Sequence, residues 1–149
     1  MIGLLQRVRE ASVEVDGELI ATIEHGLVVL VGVEQGDGTA QADRLAQRLL
    51  NYRVFADAEG RMNLNVQQVG GSVLAVPQFT LAADTSQGNR PGFSRAADSE
   101  TGKQLFDHFV AAMRRAGQVV VTGRFGADMQ LRLCNDGPVT FSLQVPPYG

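Results

Sequence analysis

The 149 residues carry 13 basic side chains against 16 acidic ones, a net charge of −3, with 44% apolar and 19% charged residues. That is the size and balance of one globular domain, residues 1–149, long enough to bury a core without disulfide or metal staples. No apolar run approaches the roughly 20 residues of a membrane span, and a weakly acidic chain lacks the clustered cations that indiscriminate nucleic-acid binding requires.

The opening "MIGLLQRVRE" meets Arg7 and Arg9 too early for a secretory signal and reads as a strand. "LLQRV" and "ASVEV" are β-like, Asp16-Gly17 supplies a hairpin turn, and "ELIATI" continues it. "GLVVLVGV" reads as a buried strand. Ala42, Leu45, Ala46, Leu49 and Leu50 recur at helical spacing and predict an amphipathic helix from Thr39 to Asn51. "YRVFAD" and "RMNLNV" read as short strands, and "GGSVLAVPQFTL" as a central strand that Pro77 interrupts, because proline removes a ladder donor.

The stretch from Ala82 to Ala97, containing "QGNRPGF", exceeds an ordinary connection and is either functional or mobile. A second helix is expected from Ser99 to Ala116, with Leu105, Phe106, Phe109, Val110 and Met113 on its apolar face and Gly117 as its stop. "VVVTGRFGADMQLRLC" and "VTFSLQV" are strand-rich, and "NDGPVTF" between them has the composition of a turn joining two hairpin strands. Many antiparallel strands with two main helices make an α+β fold, its mostly antiparallel sheets forming a sandwich or a partial barrel.

The familiar catalytic constellations are missing. His108 lies opposite the apolar face of its helix, as a solvated residue would, and His25 precedes Gly26 in a turn; neither sits as a base beside a nucleophile. Cys134 is the only cysteine, which rules out an internal disulfide and fits a reducing cytoplasm; it reads as an inert, partly buried thiol. No histidine or cysteine spacing suggests a metal, and no glycine loop suggests a phosphate-bearing cofactor. Twelve of the thirteen basic residues are arginine, a good fork for phosphate or carboxylate, although a codon bias produces the same skew.

"PQFTL" (Pro77 to Leu81) and "NDGPVT" (Asn135 to Thr140) resemble the D-aminoacyl-tRNA deacylase family. So do "QRV…ASV", "YRVF…G.MNL", "GNRP.F..AA" and "VTGRFGADM", in order and over essentially the whole chain. The resemblance implies a cytoplasmic homodimer, its active site at the subunit interface, that hydrolyses the ester joining a D-amino acid or glycine to the terminal adenosine of tRNA. The aminoacyl-tRNA acceptor end would be its partner, and no DNA, membrane, metal or cofactor is expected. The commonest family motif begins with serine where this chain has Pro77, which excludes serine-based covalent catalysis there. Pro-Gln also opens the motif of a sister branch that removes L-alanine from mischarged threonine tRNA, but Phe79 and Val139 keep this chain with the D-specific branch.

The resemblance further implies that Gly137 and Pro138, joined by a cis bond, enter the partner's pocket as a main-chain wall that an L side chain would strike. Such a wall selects by rejection and is indifferent to side-chain identity. Arg7 would brace it. Main-chain N–H groups around Phe79 and Thr80 would stabilise the developing oxyanion, the Thr80 hydroxyl would orient substrate or water, and Gln78 would contact the sugar or the amino group. Phe125 and Met129 would pack the terminal adenine, as apolar and aromatic groups do with unpaired bases; ordinary core packing is the competing reading for both. A non-catalytic tRNA-binding module and a hydrolase of small free esters are the other function classes open to the sequence.

Overall fold

The computed structural model describes residues 1–147. β1 (Ile2–Val15) is a single strand across both opening β-like segments. It pairs antiparallel with β2 (Glu18–Ile23) after a two-residue turn in which Asp16 (φ 51°) and Gly17 (φ 78°) are both left-handed, the geometry that matches strand twist. β3 (Gly26–Gly32) pairs antiparallel with the first half of β1. α1 (Thr39–Asn51) follows, then a small hairpin of β4 (Phe55–Ala56) and β5 (Met62–Leu64). β6 (Ser72–Pro77) lies parallel to β3, and α2 (Ser99–Arg115) carries the chain over to β7 (Val120–Thr122), parallel to β6. β8 (Gln130–Gln144) returns along almost the whole of β1. No helix among the described residues is long and apolar enough to cross a membrane.

Both helices match their expected spans to within a residue, and the fold is α+β with a nearly closed, barrel-like sheet and mostly antiparallel pairing. Two apolar faces explain the near-continuous hydrophobic runs. Leu27, Val29 and Val31 of β3, with Val73 and Ala75 of β6, pack beneath the helices against Leu45, Leu49, Phe106 and Phe109. The alternate residues Val28, Leu74 and Val76 point into the curl of the sheet with Val8, Ala11 and Val13. A strand buried on both faces loses the polar alternation of a half-exposed one. In β1 the register against β8 slips between Val8 and Glu10, so Val8 and then Ala11 and Val13 face the same interior despite their unequal parity, as a bulge requires.

Two expectations need correction. "NDGPVTF" is not a turn between hairpin strands: β8 runs through it, and the stretch is a bulge in that strand. Cys134 is exposed, because Leu131 and Leu133 take the inward positions and Cys134 falls on the outer face. His25 stacks edge-on against Phe55, and His108 pairs with Asp43 of α1 at 2.8 Å.

Phe109 has no exposed surface and sits between helix and sheet. Phe109→Ala is expected to destabilise the protein by about 3–5 kcal/mol, read as a lower urea midpoint with an unchanged denaturant slope.

Candidate active site

The cleft begins where the β6–β7 ladder ends. Odd-numbered residues of β6 point their N–H groups towards β7, as Val73 N–H does in bonding the Val119 carbonyl at 2.9 Å, and the pairing ends at Ala75 with Thr122. Pro77 comes next in that row and has no N–H to continue it. β6 and the chain leaving β7 part company there. The opening, about 480 Å³, is lined by Pro77, Gln78 and Phe79 on one side and Phe125 and Met129 on the other, with Asp98 and Gly102 of the α2 end between them. A shallower hollow between α1 and α2, lined by Ala46, Leu50 and Ala112 among others, shares none of these residues.

After Pro77 the chain makes a single 3-10 turn, Phe79–Ala82. The Gln78 N–H is held by the Val31 carbonyl at 2.8 Å, and the Gln78 carbonyl accepts from Leu81 N–H at 3.2 Å. The amides of Phe79 and Thr80 lie ahead of that first bond, where a helical turn offers donors without acceptors of its own. Gln78 Nε2 donates to Thr80 Oγ1, which leaves the hydroxyl proton of Thr80 available to another acceptor. Gly32 makes the turn's seat: a Cβ there would lie 2.9 Å from Leu81 Cβ and 3.3 Å from the Gln78 carbonyl oxygen. Phe79 is 61% exposed and its ring meets that of Phe93, 42% exposed, with centroids 5.2 Å apart.

Phe93 belongs to the long connection after the turn. That segment is pinned rather than free, with Asp84 and Gly92 exchanging hydrogen bonds at 2.7 and 3.0 Å and Ala97 N–H reaching the Val33 carbonyl at 3.0 Å. Asp98 caps α2 by accepting from Thr101 N–H at 3.1 Å. Hydrogen bonds from the Thr101 side chain and amide hold its carboxyl below the usual carboxylate range, so this wall of the cleft is anionic at neutral pH. Phe125 packs on Gly102, where an added Cβ would meet its ring at 3.4 Å, and Met129 packs over Gly123.

The other expected residues gather elsewhere. Gln6 pairs with Thr140 and Val8 with Asn135, so one residue of β1, Arg7, faces four of β8, 136–139. These four form a bulge in which the Gly137–Pro138 peptide bond is cis and both residues are exposed, while Val139 turns inward. Arg7 reaches beneath them: Nε donates to the Asp136 carbonyl at 3.1 Å and Nη1 to the Val54 carbonyl at 2.6 Å. A Cβ on Gly137, at φ +131°, would come within 2.8 Å of Val139 Cγ2 and 3.1 Å of Arg7 Nη2. Asn135 and Thr140 complete the bulge, with Asn135 Nδ2 donating to Thr140 Oγ1 at 2.9 Å. The sequence marks both only as the ends of "NDGPVT", and their side-chain bonds follow from the register of β8 against β1.

The structure therefore brings Gln78, Phe79, Thr80, Phe125 and Met129 together, and Arg7, Gly137 and Pro138 together, but not the two groups with each other. Leu131 of β8 lines the cleft, and Gly137 lies six residues farther along that strand, about 20 Å at the usual rise.

Such a curled sheet has solved counterparts. One titled "c-Myc DNA Unwinding Element Binding Protein" superposes with a TM-score of 0.93 at 36% identity, covering 98% of this chain and 99% of that one. A second, described as a probable eukaryotic D-amino acid tRNA deacylase, shares the fold with a TM-score of 0.77 at 18% identity, over 95% and 98% of the two chains. The class is thus the barrel-like α+β proteins to which those two belong. Sequence narrows the class: the family model described as D-Tyr-tRNA(Tyr) deacylase matches residues 4–144, and the chain belongs to that family. Relatives named D-aminoacyl-tRNA deacylase include one from Nitrosococcus oceani, 59% identical over 99% of this chain and 95% of its own. Another, from Escherichia coli, is 58% identical over 97% of this chain and all of its own.

Since Gly32 seats the turn, Gly32→Ala is expected to lower the kcat/KM for D-aminoacyl-tRNA by at least about tenfold, while overpacking costs about 1–3 kcal/mol of stability. Deacylation kinetics and urea unfolding on one preparation separate the two effects. Full activity would show that the turn does not depend on this seat.

Proposed function

We propose that this D-aminoacyl-tRNA deacylase works as a homodimer in which each cleft is closed by Gly137 and Pro138 of the partner chain. The observation that carries the reading is that Gly137 and Pro138 are absent from the cleft lining of their own chain, Gly137 lying six residues along β8 from the cleft-lining Leu131, about 20 Å at the usual rise. Two groups that must act on one substrate at that spacing meet only if a second copy supplies one of them. The bulge is exposed on an edge strand, where a partner can receive it.

The substrate is the ester of a D-amino acid, or of glycine, on the terminal adenosine of tRNA. The adenine packs between Phe125 and Met129, which the cleft already presents on one wall. The ester carbonyl lies at the amides of Phe79 and Thr80, which stabilise the charge that water's attack places on its oxygen; a preorganised donor of this kind contributes about 2.7–4 kcal/mol. Thr80 donates its free hydroxyl proton to the substrate or the water, and Gln78 fixes the rotamer of Thr80 while facing the sugar or amino group. The adenosine 2′-hydroxyl helps place the water. Nothing in this scheme calls on a protein nucleophile, so proline at position 77 does not impair it.

Stereochemistry is set by the partner's main chain. The carbonyls of Gly137 and Pro138 stand at the α-carbon and leave room for hydrogen or a D-oriented side chain, while an L side chain collides. Glycine passes for the same reason. A DNA-binding reading, suggested by the name of one structural relative, has less support than the family match over residues 4–144 and the relatives at 58–59% identity.

Deacylation of matched D-, L- and glycyl-tRNA by the purified protein tests the substrate class; equal hydrolysis of the D and L esters would overturn the stereochemical wall. Thr80→Ala is expected to slow turnover about tenfold, or ~1.4 kcal/mol, without abolishing it, since the backbone donors remain. The dimer is tested by mixing chains. One Gly137→Ala chain joined to one Thr80→Ala chain creates one intact site and one doubly altered site if closure crosses the interface. Activity of that heterodimer should exceed both mutant homodimers, and no recovery would place closure within one chain.

A further inference from the structure

We infer that Asn135 is a positioning residue that sets the height of the Gly137–Pro138 wall, and with it the D/L discrimination, through hydrogen bonds that bridge the bulge. The inference rests on the reading that Gly137 and Pro138 form that wall. Four residues bulge against one, so the β1–β8 ladder offers no partners along this stretch and the bulge must be closed by other groups. The Asn135 side chain supplies them. Val139 N–H donates to its Oδ1 at 3.1 Å, and its Nδ2 donates to Thr140 Oγ1 at 2.9 Å. Gln6 Nε2 of β1 reaches the same hydroxyl at 3.4 Å, tying the bridge back to the sheet.

Three supports hold the bulge, and they act on different parts of it. Arg7 carries the Asp136 end from below together with Arg9, whose Nε lies 3.5 Å from Asp136 Oδ1, and the side chain of Val139, 6% exposed, is pegged into the core beneath the helices. Neither spans the gap from one side of Gly-Pro to the other. Asn135 does, by joining the residue that precedes the bulge to the two that follow it. Its side chain is only half-buried, so losing it leaves the core intact while freeing the bulge to rise or tilt. A wall that selects by collision is sensitive to such a shift, since a displacement of about 1 Å at a reacting centre can change rates by about a hundredfold.

The test compares D-, L- and glycyl-tRNA hydrolysis by Asn135→Ala, with Thr140→Val and Thr140→Ser beside it. Asn135→Ala is expected to lower the D/L ratio of kcat/KM at least about tenfold, with glycyl-tRNA hydrolysis changed by less than about threefold because glycine has no side chain to meet the wall. Thr140→Val, which removes the Oγ1 acceptor, should shift the ratio in the same direction, and Thr140→Ser, which retains it, should keep the wild-type ratio. An unchanged ratio in a folded Asn135→Ala dimer overturns the inference. If that variant does not fold, equal ratios in the two Thr140 variants overturn it instead. Gly137→Ala separates the inference from the reading beneath it: if that change also leaves D and L rates untouched, the wall itself is refuted, whereas a response to Gly137→Ala alone refutes only the role of Asn135.

Discussion

The antiparallel ladder between β1 and β8 is the constraint on which the rest of the structure depends. One edge of β1 is taken first by β3 and then by β2, and the other is taken along its whole length by β8. No backbone edge of β1 is left over, and its pairing with β8 runs from Ile2 to Glu14 with two register shifts, at Gln6/Val8 and at Val8/Glu10. That register puts Leu131 at the cleft, Arg7 opposite the bulge, and Leu143 and Val139 under the helices. A one-residue slip would exchange the inward and outward faces of β8 and break all three placements.

The two halves of the site are built by different means. The cleft is opened by subtraction: Pro77 has no donor, and Gly32, Gly102 and Gly123 have no side chain where the turn, Phe125 and Met129 come close. The bulge is held by addition, with Arg7 filling it from beneath and Asn135 closing it above. Subtraction leaves a rigid hollow whose walls are backbone and apolar rings, and addition presents two residues that lie clear of their own sheet.

Much of this was legible along the chain because it is locally encoded. The apolar spacing of α1 and α2, the left-handed pair Asp16-Gly17 and the break at Pro77 all follow from residues near one another. What was not legible depends on distant partners. Asn, Asp, Gly and Pro have the same composition in a hairpin turn as in a bulge, and only the pairing of 135 and 140 with β1, about 130 residues away in sequence, decides between them. Cys134 was misplaced for the same reason, since its face follows from that register. The parallel pairing of β3, β6 and β7 was hidden in runs of valine and leucine that fit any doubly buried strand. Asn135 and Thr140 were passed over because their roles lie in side-chain bonds across the bulge, which no spacing announces.

Pro77 shows how a departure from a family motif can be read from backbone physics. A serine at this position would carry both a hydroxyl and an N–H, and the N–H would point along the row that already bonds β7. Proline keeps the extended backbone that lets Gln78 bond Val31, fixes φ near the value a strand end tolerates, and removes the one group able to prolong the β6–β7 ladder towards Gly123. Prolonging that ladder would draw the segment bearing Phe125 and Met129 against β6 and narrow the cleft between them. The hydroxyl absent at position 77 is not needed where the chemistry at the cleft is carried by the amides of the following turn, as in the scheme proposed above. Those amides are fixed by the Gln78–Val31 and Leu81–Gln78 hydrogen bonds, neither of which involves the side chain at position 77.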